Sequence, residues 1–190
     1  MQKPILRCAL LAGVVVFLWG TISWMILPWH HMTMDKFNNE KRVAEVIQEN
    51  TPVSGVYILP SFKHNVAMNK EEMKDNMMMG KEMMKTGPVV FAVVQKNGMK
   101  MGGAAAMIFT LIVQIVLAYL ITWLFTMTKA MSYRRQVAFI TMVALVAAIM
   151  IYVPDMIWGG TTLGFTVVAM LDVIIGWFFG GLVIAKLCKK

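Results

Sequence analysis

Charge is scarce in this chain. Asp, Glu, Lys and Arg make up 15% of the residues and hydrophobic residues 58%. With a mean hydropathy of +0.66 over 190 residues, that composition excludes an ordinary soluble globule and points to an integral membrane protein. Cysteine is nearly absent: Cys8 and Cys188 are the only two, and no C-x-x-C pair exists to support thiol oxidoreductase chemistry. Enzyme signatures are missing as well. There is no nucleophile elbow, no phosphate loop, no His-Glu-x-x-His and no carboxylate pair beside a histidine. Ser54, Ser61 and His64 are close in sequence, which does not make a catalytic triad. The long polar stretch holds seven Asn but no Asn-x-Ser/Thr sequon, which favours a bacterial inner membrane over a eukaryotic secretory one.

What is present is four long apolar runs: Cys8–Leu27, Ala104–Thr126, Gln136–Val153 and Thr162–Ala185. At about 1.5 Å per residue each is long enough to cross the hydrocarbon core of a bilayer as a helix. The first lacks a small-x-small cleavage site at Ser23 to Trp29 and reads as a retained anchor, not a cleaved signal. The flanks give an orientation. Lys3, Arg7, Lys129, Arg134, Arg135, Lys186, Lys189 and Lys190 border the runs on one side with no acid among them, so both termini are expected to be cytoplasmic. Cys8 and Cys188 then fall at the cytoplasmic face, where no structural disulfide is expected. The +8 net charge is thus placed by membrane topology, and nucleic acid is not implied. The Tyr133-Arg134-Arg135 loop reads as an anionic-lipid and orientation signal.

Between the first and second runs lies an insertion expected to be extracytoplasmic. An amphipathic helix is expected over Thr33–Gln48, stopped at Asn50-Thr51-Pro52. The run Gly55–Pro60 reads as a strand. Asn69 with Glu72 reads as a capping box opening a helix to Lys85, and Val89–Val94 is the strongest strand in the chain. The expected domains are residues 1–28, an N-terminal transmembrane anchor; 29–103, a small α/β (α-β-α-β) domain; and 104–190, a three-span region. The fold class is an all-α four-helix transmembrane bundle carrying that domain. If the two strands pair through the intervening helix they form a right-handed parallel unit, with at least one edge open unless a helix, a second copy or a partner covers it, which predicts a binding partner.

Asp172 is the residue most costly to place. A carboxyl near the bilayer centre has to face protein and be paired or protonated. Gln114 stands at the same expected depth, and Thr110 and Thr141 are the other polar residues of the spans nearby. Interhelical bonding between Asp172 and Gln114 is the preferred reading; a proton-accepting site is the alternative. Gly164, Gly176 and Gly180, spaced with Asp172 by multiples of four, predict a close-packing ridge on the last helix.

The chain has 20 Met, nine of them between Met68 and Met101. On the second helix of the insertion, Met73, Met77, Met79, Met83 and Met84 share one face. They read as the core of a small domain or an adaptable contact surface. A soft Cu(I) site using Met73, Met77 and Met84 with His30, His31 and His64 is the alternative, and no other cofactor is implied. The elements Trp19, Trp24, Leu27-Pro28-Trp29-His30, Ser54-Gly55-Val56-Tyr57, Leu59-Pro60 and Gly87-Pro88-Val89 resemble those of small bacterial inner-membrane proteins of uncharacterised function. That resemblance implies no activity. The expected role is a non-enzymatic accessory, assembly or partner-binding component, in contact with the lipid bilayer and with a protein partner or a second copy. Copper handling and a proton-linked transporter subunit using Asp172 are the alternatives.

Overall fold

A computed structural model describes residues 2–61, 69–99 and 102–188; His64, Lys189 and Lys190 lie outside them. In chain order the elements are α1 (Gln2–Met25), a 3-10 turn (His31–Thr33), α2 (Glu40–Asn50), β1 (Gly55–Leu59), α3 (Lys70–Thr86), β2 (Val90–Val94), α4 (Gly103–Thr126), α5 (Tyr133–Pro154), a π turn (Asp155–Gly159) and α6 (Leu163–Leu187). They form two units: residues 1–36 with 101–190, and residues 37–100.

The first unit contains α1, α4, α5 and α6. All four are long and apolar enough to cross a membrane, as in a multi-pass membrane protein. Helix α1 packs between α4 and α6, and α6 between α1 and α5. Small side chains bring them together: Ala9, Ala12 and Val16 of α1 meet Ala118, Ile140, Ala144, Trp177 and Ile184 from the other three. The outward faces stay apolar. Helix α4 buries only Ala118, Thr122 and Phe125, while Ile108, Phe109, Val113 and Leu120 are half exposed. A helix with that surface is suited to a hydrocarbon environment.

Glycines mark the closest approaches. A Cβ on Gly13 would stand 2.6 Å from the Ile115 Cα, so α1 and α4 touch backbone to backbone there. On α6, a Cβ at Gly176 would meet Trp19 at 2.9 Å, one at Gly180 would meet Val16 at 2.8 Å, and one at Gly181 would meet Ile140 at 3.4 Å. Gly164 is looser, with Thr33 at 3.7 Å.

The expectation of no disulfide is corrected. Cys8 and Cys188 are bonded, with Cα atoms 6.4 Å apart. Antiparallel packing of α1 on α6 brings the two ends of the chain together, a juxtaposition that a separation of 180 residues does not reveal.

In the second unit α2 begins at Glu40, later than the amphipathic pattern suggests. The Asn39 side chain accepts from the Arg42 amide at 2.9 Å and sets the start. Helix α3 opens with the expected capping box, Asn69 accepting from Glu72 N–H at 2.9 Å while Glu72 accepts from Asn69 N–H at 3.1 Å. The strands pair antiparallel, not parallel as expected, with Val56 opposite Val93, Ile58 opposite Phe91 and Leu59 opposite Val90. Because β2 starts beside the end of β1, the connection through α3 leaves and returns at the same end of the ribbon. A parallel crossover has to return to the opposite end. None of the buried hydrophobic residues of the chain lies between 37 and 100; in that unit the buried residues are Thr51, Pro60 and Gly80, among those described.

Candidate functional site

Polar groups inside the helical unit converge on Asp172. It lies nine residues into α6, about 14 Å from the start of that helix and so well inside it. Its Oδ1 accepts from the Trp19 indole at 2.7 Å, and its main-chain carbonyl accepts from the same N–H at 3.0 Å. Its Oδ2 stands 3.4 Å from His30 Nε2.

The chain after α1 brings His30 to that position. Ile26 and Leu27 both donate to the Ile22 carbonyl, at 2.9 and 3.0 Å, and Pro28 offers no amide to continue the helix. The chain then folds back along the last turn of α1. The Trp29 indole donates to Ser23, at 3.0 Å to Oγ and 3.2 Å to the carbonyl. The His30 ring stacks on Trp24 with centroids 3.8 Å apart and planes 11° apart, and Thr33 donates to the His30 carbonyl at 2.8 Å. His30 ends 1% exposed, with Ser23 Oγ 3.1 Å from its Nε2. Trp19 lies edge-on to Trp29 at 6.1 Å and tilted on Phe179 at 5.5 Å, which closes the site with aromatic surface. From α5, Tyr152 is within electrostatic range of Asp172 and Asp155.

This is not a nucleophilic triad. Ser23 and Asp172 both approach the same ring nitrogen, while His30 Nδ1 is buried without a partner. A relay requires the hydroxyl and the carboxylate on opposite nitrogens. What the arrangement does is place a hydroxyl and a carboxylate against one imidazole nitrogen inside the helical unit.

The expected partner of Asp172 is therefore replaced. Gln114 does not pair with it, and Gln114 Oε1 is buried with no hydrogen bond. Thr110 and Thr141 each bond back into their own helix, to Ala106 at 2.8 Å and Val137 at 2.9 Å. The metal candidates are separated by role. Met73, Met77 and Met84 lie on α3, where Met77 and Met84 are exposed, and His30 is committed to Asp172 and Ser23. His31 is exposed at the 3-10 turn. Among the described residues no three His, Cys, Asp or Glu side chains are grouped as a metal centre would need.

Trp19, Ser23 and Trp29 are the site residues that sequence reasoning missed. Trp19 and Ser23 stand four apart on one face of α1, and Trp29-His30 follows a helix-ending proline, so the signal was a polar stripe aimed at a folded-back end. No protein-family model, curated protein or solved structure matches this chain.

Proposed function

We propose that the protein is a non-enzymatic accessory or assembly component of a bacterial inner membrane, anchored by four spans and binding a protein partner through residues 37–100 on the periplasmic side. The observation that carries this is the exposed apolar face of the β ribbon. Val56 is paired with Val93 and Ile58 with Phe91, so the four side chains share one face. They are 63%, 68%, 52% and 59% exposed respectively. An isolated two-stranded ribbon is marginal in water, and among the described residues of the unit Pro60 is the one buried apolar side chain, too little to hold the ribbon by itself. A partner surface supplies the missing layer. The side is argued from charge: the basic residues at the other ends of the helices orient both termini to the cytoplasm.

The test is crosslinking in cells followed by purification of the whole chain. The wild type is expected to carry a protein adduct, and Phe91→Lys with Val93→Lys to lose it without lowering the level of the membrane protein. A wild-type chain that purifies as a stable monomer and captures nothing contradicts the proposal.

A second reading is favoured by the buried His30 imidazole 3.4 Å from the Asp172 carboxylate inside the helical unit. In it the protein is a proton-linked transporter subunit. It separates from simple helix bonding at Asp172→Asn, which keeps an acceptor for Trp19 but cannot exchange a proton.

A further inference from the structure

A groove of about 540 Å³ runs along the outside of the helical unit between α5 and α6. Tyr133 and Arg134 stand at one end, and Val137, Met142, Phe178 and Leu182 are among its walls. We propose that it binds one acyl chain of an anionic phospholipid, with Arg134 on the lipid phosphate. The inference rests on the membrane reading of the four apolar helices. It goes beyond general lipid contact by assigning a particular site and headgroup charge.

Three observations carry it. The first is length. The lining runs along α5 from Tyr133 to Leu145, about 18 Å of helix, and one leaflet of hydrocarbon is about 15 Å deep. An acyl chain fits that depth, whereas a partner helix would need the whole thickness. The second is chemistry: below the mouth the walls are aliphatic and aromatic, and the Thr141 hydroxyl is already bonded to the Val137 carbonyl at 2.9 Å, so no polar group awaits a ligand there. The third is charge. Arg134 is exposed at the mouth, and among the described residues no carboxylate lies within ion-pair distance of it. Lys186, in the last turn of α6, adds positive charge at the same end, where the Tyr133 hydroxyl meets the Leu182 carbonyl at 3.4 Å. A guanidinium can hold a phosphate with paired hydrogen bonds.

The experiment is native mass spectrometry of the full chain in mild detergent, titrated with phosphatidylglycerol or phosphatidylcholine of matched chains. One phosphatidylglycerol is expected to be retained at a concentration about tenfold lower than phosphatidylcholine. Arg134→Gln is expected to abolish that preference, and Arg135→Gln, outside the groove lining, to keep it. Ala138→Trp, which fills the groove, is expected to lose retention of both lipids. Equal retention of the two lipids by the wild type overturns the proposal without any variant. A preference that falls equally in Arg134→Gln and Arg135→Gln also overturns it, because general surface charge is then responsible. If the chain is not membrane-embedded at all it will not partition into detergent, a failure distinct from retaining no lipid.

Discussion

Asp172→Ala is expected to lower the melting temperature of the detergent-solubilised protein by about 5–10 °C, as followed by tryptophan fluorescence. The substitution removes the shorter of the two bonds made by the Trp19 indole, leaving the one to the main-chain carbonyl at 3.0 Å, and takes the carboxylate away from buried His30, which keeps Ser23. Each hydrogen bond lost from a partly buried carboxylate costs on the order of 1–3 kcal/mol, and two contacts are lost here, one to Trp19 and one to His30. Asp172→Asn retains an oxygen at the Oδ1 position and is expected to lose less than half as much. His30→Ala also abolishes the stack on Trp24 and the bond to Ser23. Asp172 and His30 share a contact, so their effects are expected to be non-additive in a double-mutant cycle. An alanine variant that melts with the wild type, or strictly additive single variants, would show that the carboxylate is not holding the chain after α1 against α6.

Gly13→Val is expected to reduce the yield of folded protein more than tenfold, because overpacking by a branched side chain costs at least about 1–3 kcal/mol. The severity comes from what the new Cβ meets. At Gly176 and Gly180 the nearest atoms belong to side chains that can rotate, but at Gly13 they include Ile115 Cα at 2.6 Å and Ile115 N at 2.8 Å, which move only if α4 moves. Gly20, on the same helix with nothing within 4 Å, is the internal control. Gly20→Ala is expected to be neutral or to stabilise by about 0.5 kcal/mol, since alanine loses less backbone freedom than glycine in a helix. Equal behaviour of the two variants in a yield and melting assay would mean that α1 and α4 do not approach through Gly13.

The four apolar helices were legible because length and hydropathy alone select a bilayer-crossing element. The expected run Ala104–Thr126 differs from α4 by one residue, and Thr162–Ala185 differs from the observed α6 by one residue at its start and two at its end. The Asn69 cap was legible for the same local reason: both of its bonds close within four residues. Features that depend on how distant segments meet were not legible. Gln114 looked like the partner of Asp172 because depth along a helix is countable, whereas the fold-back that carries His30 to Asp172 is set by one proline and two indole bonds. Strand direction failed similarly, since a helix between two strands usually makes a parallel crossover and here makes an excursion. For Cys8 and Cys188 the sequence argument concerned whether a bond persists in a reducing compartment; the packing of α1 on α6 decides whether the sulfurs meet, and they do. The methionine spacing on α3 is compatible with either a domain core or a contact surface. Met77 and Met84 are exposed, as a contact surface needs.

If residues 37–100 form a unit completed by a partner, amide hydrogen exchange on the purified full chain will show it. The amides of Gly55–Leu59 and Val90–Val94 are expected to exchange at least about a hundredfold faster than those at the centres of α1 and α6, because among the described residues opening the ribbon uncovers no buried apolar cluster. Protection of the two strands equal to that of the helices would contradict it, since the unit would then be stable without a partner.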